Sequence, residues 1–418
     1  MSGERKKLVL ADSFSYLNKG DAGIILGMLA DVRQQFDDPS FTLISETPDI
    51  DRERYGEVGT MGSPFRRVYR TGPLLKKLIL FGFTFVILLW GGLYRLSGDR
   101  LPCPGPFEIV QVYGDADAVL VAGGDKYYNY RDGFRSAIEK LPKLFETILS
   151  IMVGTKLMIY AHSAGPFNNR YNRYLLRYTF RQADVITARE PVSHEHFASL
   201  DPKVELTADA AFLAPDGSES AARTELNEND IDPEKPVAGL TARDWHFPEG
   251  DGEMSQYRDG MEQAVTSLRE QGYQVVFFPQ VIGPYMDDRV VSRKIACNVD
   301  GVLVLEDDYD VPLLREMIGL CDVFVGTRMH SNIFALSKRV PTVAIAYRHK
   351  TNGIMHMLGL EEYVVDIPNV SKELPRVVAK LLEKHEQVEE QLGHRLPEMT
   401  AQANRNGALT EQMIRGVH

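Results

Sequence analysis

Arg328 and His330 stand two residues apart in "GTRMHSNIFA" (326–335). They lie behind the apolar run Val323, Phe324 and Val325, and ahead of the apolar-patterned Ile333, Phe334 and Leu336. A strand–turn–helix reading puts Arg328 at a strand's carboxyl end and His330 at or just before a helix N-terminus. There, unpaired backbone N–H groups and the helix dipole favour an anion. Arginine adds a bidentate fork for phosphate or carboxylate, and histidine can move a proton to or from a reacting group. An arginine in a salt bridge and a histidine capping the helix fit the same spacing.

Two more cations occupy matching places. Arg243 ends the apolar run of "VAGLTARDW" (237–245), with Trp245 beside it, and Lys350 follows the run of "AIAYRHKTNG". One such cation alone is ordinarily a surface charge. Three at three strand ends of one domain suggest a dianionic or trianionic ligand.

The first half offers "LNKGDAGI" (17–24), in which Asn18, Gly20 and Asp21 precede an amphipathic helix. Gly20 permits close backbone approach, and Asp21 suits a helix cap. "LVAGGDKYYNY" (120–130) pairs Gly123 with Gly124 after a strand, followed by Asp125. It is not GxGxxG, and no acidic residue follows at the distance a dinucleotide ribose needs, so NAD is not expected. "YAHSAGPF" (160–167) ends a strand with His162, Ser163, Gly165 and Pro166; Asp209 in "TADAAFL" and "FFPQVIGPYMDDR" (277–289) complete the set. There is no Walker A loop, HExxH, zinc-type cysteine pairing or GxSxG elbow, and neither a metal nor a cofactor is expected.

The elements that position these residues alternate. Strand-like runs fall at 8–11, 41–45, 118–122, 157–162, 185–188 and 204–207, then at 237–241, 275–278, 302–305, 323–325, 342–345 and 363–365. Helical periods intervene: Ile25, Leu29, Val32 and Phe36 share a face, as do Met261, Val265 and Leu268, while 172–183 is rich in Arg and Tyr. Such alternation implies parallel sheets with right-handed crossovers. The expected fold is α/β, with two Rossmann-like lobes facing across a cleft and ligands at the carboxyl ends of the strands. The polar, acidic stretch 215–236 marks a linker, giving domains at 1–220 and 237–385 around a linker at 221–236. A helical tail follows at 386–418, and the amphipathic stretch 374–392 is expected to pack back across the first domain.

With 418 residues the chain is long enough for two domains. Its net charge of −11 argues against a nucleic-acid binder, which ordinarily presents a basic face. Cys103, Cys297 and Cys321 lie far apart and read as free thiols in a reducing compartment. "MSGERKKLVLADS" reads as a first strand rather than a signal peptide. One stretch breaks the pattern: "LILFGFTFVILLWGGLY" (78–94) is uncharged, between Lys76–Lys77 and Arg95. A single membrane span here would separate strands 8–11 and 118–122, which are expected to share a sheet. Three readings of this insert, at about 74–100, remain. It is an in-plane anchor with Arg66, Arg67, Arg70, Lys76, Lys77 and Arg95 on anionic headgroups, a core helix, or an oligomer contact. Trp90, Tyr94 and the phenylalanines favour a membrane surface, so a peripheral or monotopic cytoplasmic location is expected.

In order along the chain, "NKGDAGI", "VLVAGGD", "YAHSAGPF", "ADVITARE", "TADAAFL", "VAGLTARDW", "FFPQVIGP", "VGTRMHSNIFAL" and "VPTVAIAYRHKTNGIM" resemble the polysaccharide pyruvyl transferase family, from about residue 16 to 366. The resemblance implies a two-lobed fold like that of the GT-B glycosyltransferases. It implies transfer of a pyruvyl group from phosphoenolpyruvate (PEP) to two hydroxyls of a sugar or lipid-linked glycan, forming a cyclic ketal. It assigns Arg243, Arg328, Ser331 and Lys350 to PEP, with His330 and Arg328 catalytic. It places Asn18, Gly20, Asp21, Gly123, Gly124, Asp125, His162 and Ser163 on the acceptor side. His162 stands where relatives often have Gln, and Asp125 where many have a third Gly, which leaves the acceptor sugar open. The rival readings are a glycosyltransferase using a nucleotide sugar and a non-catalytic sugar- or phosphate-binding membrane protein.

Overall fold

The computed structural model describes residues 5–64, 74–129, 141–200, 203–244, 251–284 and 286–416. Contacts divide the chain into two units. The first comprises Met1–Tyr16, Met28–Ala210 and Gln402–His418; the second comprises Leu17–Gly27 and Ala211–Ala401.

The first unit holds a seven-stranded sheet: β1 (Lys7–Ser13), β2 (Ser40–Ser45), β3 (Gly59–Gly62), β4 (Ala118–Val121), β5 (Leu157–His162), β6 (Val185–Ala188) and β7 (Val204–Leu206). They lie in the order β3-β2-β1-β4-β5-β6-β7, all parallel. The second unit repeats the plan with β8 (Val237–Thr241), β9 (Gln274–Phe277), β10 (Val302–Val304), β11 (Val323–Gly326), β12 (Thr342–Ala346) and β13 (Val364–Asp366). Its order is β10-β9-β8-β11-β12-β13, again parallel. Both sheets follow the 3-2-1-4-5-6 order of the Rossmann fold, in which the order reverses beside the first strand. The strands read as unbroken apolar runs because helices cover both faces of a parallel sheet. Leu8, Val9, Leu10 and Ala11 in β1 are buried without alternation, as are Val323, Phe324 and Val325 in β11. Each such Val, Leu or Ile contributes roughly 1.5–3 kcal/mol.

The helices used below are α1 (Lys19–Gln35), α2 (Leu74–Leu96), α3 (Phe145–Val153), α4 (Arg170–Phe180), α5 (Glu219–Glu228), α6 (Asp251–Glu270), α7 (Asp288–Ala296), α8 (Met329–Ser337), α9 (His349–Met357) and α10 (His385–Arg415). The stretch expected as a linker, 221–236, lies inside the second unit, and α5 takes up its first half. Only Ala222 and Leu226 of α5 turn inward, so its polar, acidic composition hides the amphipathic pattern. The last turns of α10 belong to the first unit. There the Lys156 ammonium donates to the carbonyls of Met413 and Ile414, at 2.7 and 2.9 Å.

The apolar insert is α2. Its inner face, with Ile87 and Tyr94, enters the core beside Leu149 and Val153 of α3. Among the described residues, no helix is long and apolar enough to cross a membrane. Arg66, Arg67 and Arg70 lie outside the described residues, as do the side chains of Lys76 and Lys77.

Candidate active site

The order of the second sheet reverses between β8 and β11, which pair in parallel with Thr241 opposite Gly326. In open α/β sheets this switch point, at the strands' carboxyl ends, is where ligands bind. Arg243 follows β8, Arg328 follows β11, and Tyr347, Arg348 and Lys350 follow the next strand, β12. Three adjacent strand tips therefore deliver four cations. Gly326 makes the turn possible: a Cβ there would lie 1.7 Å from the Asn332 side-chain oxygen, inside the first turns of α8.

Tyr347 is the common neighbour. The Arg243 guanidinium sits 4.7 Å and the Lys350 ammonium 6.0 Å from its ring centroid, within cation–π range. Burial raises the Tyr347 hydroxyl's pKa, but the charges of Lys350, Arg243, Arg328 and Arg348 outweigh it and hold the pKa below the usual value. Burial pulls Arg243 down. The Tyr347 hydroxyl and Asp288 oppose this, while Arg328 and Arg348 repel it further. Arg243 and Arg328 thus share one electrostatic environment.

Arg328 is salt-bridged. Its Nε and Nη2 donate to the two oxygens of Asp288, at 3.1 and 2.5 Å, and Nη2 also reaches Met286 Sδ at 2.9 Å. Asp288 is itself held by the backbone N–H groups of Gln280 and Val281, at 3.2 and 3.0 Å. The carboxylate fixes the guanidinium plane, and Nη1 makes no hydrogen bond among the described residues. Asp288 pairs with one of the four cations whose charges bear on Tyr347.

Ser331 does not reach this cluster. It is fully buried, donates to the Arg328 carbonyl at 2.6 Å and shares a 2.9 Å bond with the Thr241 hydroxyl. Thr241 in turn accepts from the backbone N–H of Thr327, at 3.1 Å. Ser331 therefore fastens α8 to the tip of β8 rather than touching a ligand. Tyr257 of α6 does similar work, its hydroxyl joining the Thr327 hydroxyl at 2.7 Å and the Arg243 N–H at 3.2 Å.

His330, in the first turn of α8, packs on Gly20: a Cβ at Gly20 would lie 2.3 Å from His330 Nδ1. The "NKGDAGI" segment therefore belongs to the second unit, not to the acceptor-side domain. The Lys19 N–H donates to the Gln280 carbonyl at 2.8 Å, its ammonium pairs with Asp308, and Asn18 bridges to Val281. The residue capping α1 is Asn18, whose side-chain oxygen accepts from the Gly20 N–H at 3.1 Å; Asp21 instead accepts from the Asn18 amide. The N-terminal turns of α1 and α8 meet at Gly20 and His330, and helix dipoles there favour negative charge.

The other expected acceptor-side residues lie in the first unit and form a closed interior. His162 and Ser163 are at most 1% exposed, so neither presents a side chain to a sugar. The Ser163 hydroxyl accepts from Arg189 Nε at 2.8 Å, and Arg189 Nη1 donates to Asp209 at 2.6 Å. His162 is held neutral: burial, then the nearby Lys126 charge, drives its pKa well below the ordinary value. Gly123 passes against the Ala161 carbonyl, where a Cβ would sit 2.7 Å from the oxygen. Gly124 is buried too, and its carbonyl accepts from the Ser163 N–H at 3.0 Å; Asp125 is half-buried. Lys126 is buried against Asp12.

Sequence reading gave no role to Tyr347, Arg348 or Lys126, and took Asp288 only as part of "FFPQVIGPYMDDR". Tyr347 and Arg348 carried a usable signal, since they directly follow a strand. Asp288 lies in a quoted motif, but its pairing with Arg328, 40 positions on, could not be read. Trp245 lies outside the described residues.

The sequence description of one protein family, Polysaccharide pyruvyl transferase, matches residues 18–349 of this chain. The amylovoran biosynthesis protein AmsJ of Erwinia amylovora is 26% identical over 417 residues, covering 92% of this chain and 94% of that protein. Among solved structures, MnaA of S. aureus with UDP aligns at a TM-score of 0.58 and 14% identity, over 99% of this chain and 98% of its own. A glycosyltransferase from Rickettsia africae aligns at 0.58 and 10% identity, over 99% of each chain. At such identities the likeness is one of fold, the GT-B type built from two Rossmann-like sheets.

Proposed function

Because this chain belongs to the polysaccharide pyruvyl transferase family, we propose that it moves a pyruvyl group from PEP onto two hydroxyls of a sugar, within a polysaccharide or its lipid-linked precursor, forming a cyclic ketal. The observation that carries the donor assignment is the gathering of Arg243, Arg328, Arg348 and Lys350 around Tyr347. A phosphate monoester holds a charge of about −1.5 to −2 at neutral pH, and PEP adds a carboxylate. An anion with both groups calls for several cations close together.

The chemistry divides among these residues. C3 of the enol takes a proton and becomes the methyl group, which leaves C2 electrophilic. One sugar hydroxyl adds to C2, the C2–O bond to phosphate breaks, and the second hydroxyl closes the ring. Of the two hydroxyl protons released, one balances the proton gained at C3 and the other leaves with phosphate. His330 is the proton shuttle, a role worth roughly 10²–10⁴-fold. Arg328, aimed by Asp288, and Arg243 neutralise the departing phosphate and hold the carboxylate. No step calls for a metal or a cofactor.

Incubation with isotope-labelled PEP and membrane lipid extract tests this reading. Label should enter the glycan while phosphate is released. His330→Ala should keep PEP binding and lose at least about a hundredfold in turnover. Near-normal turnover by that variant removes His330 from the chemistry. Transfer from a nucleotide sugar in place of PEP assigns the chain to glycosyl transfer.

A further inference from the structure

Two helices of the first unit bury one face in the same core and turn the other away from it. Ile87 and Tyr94 of α2, with Leu176 and Phe180 of α4, join one hydrophobic cluster with Val9, Val119, Ile159 and Ile186. Those strand residues lie on one side of the sheet, so both helices cover that side.

The outward face of α2 is apolar. Ile79, Phe85, Val86, Leu89, Leu93 and Leu96 recur at helical spacing and are between 44% and 84% exposed. A continuous apolar stripe of this length marks an interaction surface. The outward face of α4 is aromatic and basic. Tyr171, Tyr174 and Tyr178 stand three and four residues apart, 40–76% exposed, flanked by exposed Arg173, Arg177 and Arg181. From 168 to 183 there is no carboxylate, in a chain of net charge −11.

We propose that this side of the first unit lies on an anionic phospholipid bilayer, with the α2 stripe at the acyl boundary and the α4 arginines on lipid phosphates. An apolar face beside a basic one, in an acidic protein, matches the order of a membrane interface. Tyrosine rings prefer the headgroup level, and arginine forks fit phosphate. A second copy of this chain would leave the arginines unmatched, since the same acid-free face would meet itself if the contact were two-fold. The proposal does not depend on the reaction assigned above.

Vesicle flotation of the full chain tests it, using phosphatidylcholine alone and with about a third phosphatidylglycerol, at low and high salt. Each basic residue near an anionic surface is worth about fivefold in partitioning. Binding to the anionic vesicles should therefore exceed binding to the neutral ones by at least about tenfold, and should fall at high salt. Arg173→Glu with Arg177→Glu should cost at least about tenfold, and Leu89→Glu with Leu93→Glu should lower binding to both vesicles. Unfolding midpoints check that each variant folds; if one does not, the lipid and salt dependence of the unaltered chain still decides. Equal binding to both vesicles, no binding to either, or an unchanged arginine double variant overturns the proposal. So does a vesicle-free dimer that Leu89→Glu dissociates, or binding to dextran sulfate that matches the vesicles and ignores Leu89→Glu.

Discussion

Gly20 lacks a side chain where the His330 imidazole needs the room. Adding one methyl group should push the ring off its place while favouring helix in α1. Gly20→Ala is therefore expected to lower turnover at least about tenfold with an unfolding midpoint near that of the unaltered chain; a matched loss of both would make Gly20 merely structural. Asp288 bears on Arg328 in the same indirect way. Asp288→Asn keeps the shape but gives up a charge-assisted bidentate pair, so the guanidinium loses its fixed plane. The expected result is a KM for PEP raised about tenfold with a smaller change in kcat. The places of Arg243, Arg328 and Lys350 past the ends of β8, β11 and β12 were legible from the sequence, because each stands just beyond an apolar run. Ser331 was misread: its neighbours sit at the site, but its hydroxyl is committed to Thr241 and the Arg328 carbonyl. His162 and Ser163 were misread for a related reason, since the end of a strand can be as buried as its middle.

At the scale of elements, the unbroken apolar runs announced every long strand, because a strand covered on both faces must be apolar throughout. β3 escaped, being "GTMG" at a sheet edge with little to bury. α5 escaped because two inward residues suffice to seat it. The stretch 374–392, expected to pack across the first domain, stays in the second unit; residues from Gln402 on join the first. Asn406 accepts from the hydroxyls of Thr187 and Thr207, at 2.6 and 3.0 Å, and its amide reaches the Ala208 carbonyl at 3.3 Å. Asn406→Ala should strand those buried groups and cost about 1–3 kcal/mol, seen as a lower urea midpoint. An unchanged midpoint would mean that the other contacts of α10, Lys156 among them, hold it without Asn406.

For the whole molecule, stability should carry the mark of one buried carboxyl. Asp31 is fully buried, and burial lifts its pKa from 3.8 to about 7, against hydrogen bonds from Tyr160 and Gly407 that lower it. The folded form binds this proton more tightly than the unfolded chain does. The stability it lends is complete below about pH 4 and is lost as pH rises through about 7. At about 1.4 kcal/mol for each unit of difference, roughly 2–3 kcal/mol should vanish between pH 5 and pH 8. Asp31→Asn should flatten that slope; a slope unaltered in the variant would assign it to other groups.

The proposed function requires that the cations past β8, β11 and β12 hold a small multiply charged enol ester. Calorimetric titration of PEP into the unaltered chain and into Arg243→Ala is its most direct test. Saturable binding is expected of the first and an affinity at least about tenfold weaker of the second, a typical cost for losing one arginine from a charged site. Equal affinity in both, or no binding of PEP where a nucleotide sugar binds, would contradict it.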